Sequence, residues 1–178
     1  MHYRRVKAKG ASYFFTVNLA QRNKSILIDN IDLLRQVFKR VQKRHPFKIE
    51  AIVILPEHLH TIWTLPEGDN DYPTRWMLIK SAFPRQLPKT ESRNKSRLKK
   101  AERGIWQRRY WEHLIRNDKD FSTHMNYIHF NPVKHGHVKC AVDWPYSSIH
   151  QCIEKSVLES NWGCDGAVEF DGFDFGEM

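Results

Sequence analysis

The chain has 178 residues, 40% of them hydrophobic, enough for one domain with a buried core rather than two. Its 29 Lys and Arg against 20 Asp and Glu give a formal charge of +9, which points to a polyanionic partner such as nucleic acid. No apolar run is long enough to cross a bilayer, Met1-His2-Tyr3-Arg4-Arg5 opens no signal peptide, and Cys140, Cys152 and Cys164 form no CxxC pair, so a cytoplasmic protein with reduced thiols is the expectation.

In chain order, Ser12 to Leu19 is rich in aromatic and β-branched residues and reads as a strand. From Asn30 to Arg44, Ile31, Leu34, Val37, Phe38 and Val41 recur at helical spacing. Phe47 to Leu55 and His58 to Leu65 read as two strands joined at Pro56-Glu57, followed by a loop over Pro66 to Asp71. Thr74 is the expected cap of a helix that carries Trp76, Ile79 and Phe83 on one face.

Ten bases then crowd residues 85 to 109 (Arg85, Lys89, Arg93, Lys95, Arg97, Lys99, Lys100, Arg103, Arg108 and Arg109) against Glu91 and Glu102. Little apolar content separates Pro88 from Gly104, so about 88–104 reads as a mobile basic loop. Ile105 to Ile115 suggests a fourth strand, and Asp118 or Asp120 starts a helix expected to end at Asn131-Pro132. The order strand–helix–strand–strand–helix–strand is that of an α+β, ferredoxin-like split βαβ sandwich, an antiparallel sheet with helices on one face.

From Glu154 onward seven acids meet the single base Lys155, so residues 1–153 carry +15 and the tail −6. We divide the chain into a domain over 1–150 and an acidic tail over 151–178. The tail, with Trp162, Phe170, Phe173 and Phe175 among its acids, is either a disordered solubilising segment or a DNA mimic lying in the basic groove.

His58-Leu59-His60 sits in an alternating apolar run from Ile52 to Trp63. Strand side chains alternate with period 2, so both imidazoles leave one face and Leu59 and Trp63 the other. Two imidazoles on an apolar strand call for a partner, because unsatisfied polar groups are costly to bury. With a carboxamide oxygen as third donor the set favours Mg²⁺ or Mn²⁺ over structural zinc. On the following helix His124, Tyr127 and Asn131 share a polar face beside Phe121, Met125 and Ile128. A neutral phenol, with a pKa near 10, is a poor nucleophile. A metal ion, His124 or His129 could supply the cation or base it needs; the plain alternative is a packed tyrosine. Basic residues interleaved with Trp76, Phe83, Trp106, Tyr110 and Trp111 suit single-stranded or hairpin DNA or RNA, where bases stack and phosphates pair with cations.

The string Leu55-Pro56-Glu57-His58-Leu59-His60-Thr61-Ile62-Trp63 carries the H-hydrophobic-H signature of the HUH endonuclease superfamily. With Trp106 to His113, Tyr127 to Gly136 and the ending Asp143-Trp144-Pro145-Tyr146-Ser147-Ser148, it resembles the REP-associated tyrosine transposases over about Tyr3 to Ser148. The resemblance implies the HUH nuclease fold and a metal-dependent, single-strand-specific DNA endonuclease and strand transferase. Its implied targets are hairpin-forming repetitive extragenic palindromes. It implies His58, His60 and Asn131 as ligands of Mg²⁺ or Mn²⁺, Tyr127 as the nucleophile of a 5′-phosphotyrosine intermediate, and the ten bases as DNA contacts. Insertion-sequence relatives place Gln where this chain has Asn131, one methylene shorter. A monomer is the expected state. Two other readings are a non-catalytic DNA or RNA hairpin binder with a vestigial site, and a zinc hydrolase built on the His pair.

Overall fold

The computed structural model describes residues 7–164 and 175–176. Its sheet holds four antiparallel strands: β1 (Ser12–Asn18), β2 (Lys48–Ile54), β3 (His58–Thr64) and β4 (Trp111–Leu114), in the order β2-β3-β1-β4. β1 and β3 are central, which suits their aromatic and β-branched content. Their register pairs Asn18 with His58 and Thr16 with His60. The fourth strand is shorter than the expected 105–115; Trp106 makes only an isolated bridge to Leu19.

A short helix α1 (Ile26–Asp29) leads into α2 (Ile31–Arg44), and α3 (Tyr72–Arg85) follows β3. Both α2 and α3 cover one sheet face, as the split βαβ order requires. Leu34, Val37, Phe38 and Val41 from α2 and Tyr72, Trp76, Ile79 and Phe83 from α3 pack on Tyr13, Phe15, Val17, Leu59 and Trp63. Trp63 is the centre of this core, its ring 4.1 Å from Phe47 and stacked 4.2 Å from Trp76. The cap of α3 is Asp71, whose carboxylate accepts the Thr74 N–H at 3.2 Å, and Pro73 follows within the first turn; Thr74 itself is helical.

Helix α5 (Asp118–Lys134) lies on the opposite face, so the sheet has helices on both sides rather than one. Tyr127 and Ile128 pack there on Phe14, Ala51, Val53 and Ile62. α5 also runs past Pro132, the expected stop. Proline removes one helix hydrogen bond, yet the chain closes one more turn through His135 N–H to the Asn131 carbonyl at 3.0 Å. Among the described residues no helix is long and apolar enough to cross a membrane.

The segment after a 3₁₀ turn (Ala141–Asp143) covers the edge of β2 before the short helix α6 (Ile149–Glu154). Trp144 Nε1 donates to the Ile54 carbonyl, Ile54 N–H donates to the Tyr146 carbonyl, and Ser148 N–H donates to the Ile52 carbonyl, at 2.8–2.9 Å. The Trp144 to Ser148 motif thus closes an edge that would otherwise expose unpaired backbone groups. Cys140 and Cys164 form a disulfide, which corrects the expectation of three reduced thiols; Cys152 is free. Spacing hid the pair because a turn and a helix in between bring its ends together.

Candidate active site

β3 carries His58 and His60 onto the α5 face, both fully buried, with ring centroids 4.9 Å apart and nearly perpendicular. Each ring is held through Nδ1. His58 Nδ1 donates to Glu57 Oε1 at 3.0 Å. The Thr16 hydroxyl donates its single proton to the Phe175 carbonyl at 2.6 Å, so at 2.8 Å it accepts from His60 Nδ1–H. Both imidazoles then present Nε2 with a lone pair, and His58 Nε2 is buried with no hydrogen-bond partner among the described residues. An orphaned buried nitrogen of this kind fits a cation. Burial pushes the Glu57 carboxyl up, but the hydrogen bond from His58 and the nearby Arg22 guanidinium hold it below the usual carboxylate range. Glu57 is therefore an anion behind His58, the support that metal-binding histidines commonly have.

α5 brings the other two predicted residues to the same face. Tyr127 is 1% exposed, its ring centroid 5.2 Å from that of His60, and Asn131 is fully buried one turn later. Lys134 Nζ donates to the Tyr127 hydroxyl oxygen at 3.1 Å and lies 4.8 Å from the ring centroid. His124 and His129, the two histidines expected to help the phenol, bond to other groups. His124 Nδ1 meets the Asp120 carboxylate at 2.9 Å and its carbonyl at 2.8 Å; His129 Nε2 meets Ser148 Oγ at 3.1 Å. Burial lowers the pKa of both, that of His129 to about 4. The cation at the phenol is Lys134, which the sequence signals through helical spacing, since seven residues on a helix return to the same face.

His113 on β4 and Asp120 and His124 on α5 form a second group, its ligand atoms within 4.8 Å of one another, that could hold a metal ion. As described, Asp120 accepts from His113 Nε2 at 2.9 Å and from the Arg116 N–H at 3.0 Å. Burial raises the Asp120 pKa, but these bonds bring it below the ordinary value. With Asn117 capping the first turn, the group ties the start of α5 to the sheet.

The acidic tail supplies a contact that the sequence reading put elsewhere. Phe175 stacks on Tyr127 with ring centroids 3.6 Å apart and planes 4° from parallel. Gly176, at φ +66°, lies so close against Trp111 that a Cβ would clash with the indole. Phe175 thus occupies the Tyr127 face, not a groove in the basic segment; Phe170 and Phe173 lie outside the described residues.

The basic segment holds a short helix α4 (Lys95–Lys99) where a loop was expected. Three of its predicted DNA contacts serve the fold as well. Arg103 pairs with Glu91 and donates to the carbonyls of Pro84, Leu87 and Pro88. Arg97 donates to the Trp106 carbonyl, and Arg108 pairs with Glu102 at 2.8 Å. Arg93 is half-buried, whereas Arg85, Lys89, Lys95, Lys99, Lys100 and Arg109 are exposed. Asn18 links this segment to the histidines: it pairs with His58 across the sheet, and its carbonyl accepts from the Gln107 N–H at 2.9 Å. Cations and histidines therefore meet at one end of β1. A cavity of about 800 Å³ opens between α3 and residues 97–110, lined by Lys80, Arg97, Trp106 and Tyr110 among others, on the α3 side of the sheet.

No family model matches the chain. The chain is 43% identical to a REP-associated tyrosine transposase of Escherichia coli, covering 92% of this chain and 91% of that protein. It is 47% identical to a Haemophilus influenzae protein that carries the same name provisionally, covering 96% and 98%. A solved structure of a REP-associated tyrosine transposase bound to a REP hairpin superposes with a TM-score of 0.84 at 41% identity, covering 100% of this chain and 98% of that one. Identity of this order over nearly the full length, on the same fold, places the protein in a family: the chain belongs to the REP-associated tyrosine transposases.

Proposed function

We propose that the protein is a metal-dependent, single-strand-specific DNA endonuclease and strand transferase that acts on REP-type hairpins through a 5′-phosphotyrosine. The observation that carries this reading is the buried His58 and His60 pair on the α5 face with the Tyr127 ring 5.2 Å from that of His60; Asn131 is buried one turn further along the same helix. His58 and His60 through Nε2, with Asn131 through its carboxamide oxygen, are the residues that would hold Mg²⁺ or Mn²⁺. Bound there, the ion would supply positive charge for the scissile phosphate as charge develops in the transition state.

The chain's own residues do the rest. Glu57 fixes the His58 imidazole in one tautomer, and Thr16 holds the His60 ring through Nδ1. α5 delivers the Tyr127 oxygen for in-line attack on phosphorus; the oxygen–phosphorus bond forms and the bond to the 3′ oxygen breaks, which leaves a free 3′-hydroxyl. Attack by another 3′-hydroxyl reverses the step and rejoins strands without ATP. Exposed Arg85, Lys89, Lys95, Lys99, Lys100 and Arg109 neutralise hairpin phosphates, so affinity falls steeply with salt. Unpaired bases at the hairpin foot carry the sequence information, because their edges are open. In the resting chain Phe175 covers the nucleophile and must leave before DNA enters. The protein acts as a monomer.

The test is incubation of the full chain with a labelled single-stranded palindrome library and Mn²⁺ or Mg²⁺, then a denaturing gel. The expected result is a slow-migrating protein–DNA adduct that is absent with Tyr127→Phe and with chelator. Hairpin binding with no adduct under either metal would overturn the nuclease reading and favour a hairpin-binding protein.

A further inference from the structure

We infer that Lys134 is a catalytic residue: its ammonium holds the Tyr127 phenolic oxygen and balances the charge on that oxygen as the bond to phosphorus forms and breaks. The inference rests on the nucleophile reading above and adds the group that makes a poor nucleophile competent. Lys134 Nζ donates to the phenolic oxygen at 3.1 Å and sits 4.8 Å from the ring centroid, so a full positive charge touches the reacting atom itself.

The chain builds this contact from one element. Residues 127 and 134 lie two turns apart on α5, on the same face, with Asn131 between them. Lys134 occupies the last helical turn, where the helix dipole favours a cation, and it is exposed while Tyr127 is buried. Its contact with the phenol is directed inward. His124 and His129, the other bases on the helix near the phenol in sequence, bond to Asp120 and Ser148.

The step balances without an acid or base at position 134. The phenol proton passes to water, the tyrosine oxygen–phosphorus bond forms, and the electron pair of the breaking bond leaves with the 3′ oxygen, which takes a proton from water. Rejoining runs the same path backward with phenolate as leaving group. Lys134 remains an ammonium throughout. Because it acts on the phenolate in both directions, its loss slows cleavage and rejoining together.

A lysine near DNA has a simpler alternative role, a phosphate contact. That role predicts weaker binding and a smaller salt dependence, with an unchanged rate at saturation. The experiment measures single-turnover adduct formation and rejoining at saturating hairpin DNA, and hairpin affinity at several salt concentrations. The proteins are wild type, Lys134→Met and Lys134→Arg, with 3-fluorotyrosine at position 127 as a further variant of each. We expect Lys134→Met to slow both directions about tenfold or more, with affinity changed less than about threefold. Lys134→Arg keeps most of the rate, and fluorotyrosine, whose phenolate is more stable, recovers part of the Met variant's loss. Thermal melting of the variants at wild-type temperatures assigns the loss to chemistry rather than folding. If wild type forms adduct and Lys134→Met matches it at saturation, or loses only affinity, the inference falls and the nucleophile reading stands. If wild type forms no adduct, both fall.

Discussion

The two faces of the sheet use the same strands for opposite purposes. On the α2/α3 face, β1 and β3 point Tyr13, Phe15, Leu59 and Trp63 into a core that is almost wholly apolar and aromatic. On the α5 face the intervening residues are Phe14, Thr16, His58 and His60, and the covering helix brings His124, Tyr127 and Asn131. One face spends its burial on stability. The other buries polar side chains at a desolvation cost and depends on hydrogen-bond partners from Glu57, Thr16 and Asp120. Stability and chemistry are therefore separable by mutation, although they share two strands.

The sharpest test of that separation pairs Trp63→Ala with Tyr127→Phe. Removing the indole between Phe47 and Trp76 is expected to cost about 3–5 kcal/mol in urea unfolding. Tyr127→Phe keeps the ring, and with it the packing, and is expected to stay within about 1 kcal/mol of wild type while abolishing the adduct. A Tyr127→Phe protein as unstable as Trp63→Ala would break the division.

Reduction comes next. The Cys140–Cys164 bond closes a span of 24 residues, and loop-closure entropy gives it about 3 kcal/mol. Melting with and without dithiothreitol should show a lower transition under reduction, and Cys140→Ser should become insensitive to the reagent.

A pH effect of similar size belongs to His129. Held neutral by burial, it has a folded pKa of about 4 against an ordinary 6.5. Between those values the unfolded chain binds a proton that the folded one does not, so stability falls as pH drops through that window and levels off below it. The upper limit is about 3 kcal/mol. Urea midpoints from pH 7.5 to 4.5 should flatten with His129→Gln; an unchanged acid limb would assign the loss to another group.

Smaller effects refine the picture at its edges. Phe175→Ala removes the cover over Tyr127 and should raise the adduct rate severalfold; an unchanged rate would make the stack incidental. Asp71→Ala removes the α3 cap on the structural face and should cost about 1 kcal/mol with cleavage intact.

Much of this was legible along the chain, and the parts that were share a cause. Period-2 alternation placed His58 and His60 on one face opposite Leu59 and Trp63, and the order of elements foretold the four-stranded antiparallel sheet. Helical spacing grouped Tyr127 with Asn131, and the same spacing could have added Lys134. Each of these is a local property, set by backbone geometry within a few residues. Other features were not local. That α5 takes the far face of the sheet depends on packing against Phe14, Ala51 and Ile62 from three strands. That Cys140 meets Cys164, that Phe175 stacks on Tyr127, and that Thr16 orients His60 all join residues many positions apart. The sequence by itself determined the three long strands, the three long helices and the family; only the tertiary structure decided the short elements and which distant side chains share a buried volume, because such contacts depend on the closure of long loops and on the whole core at once.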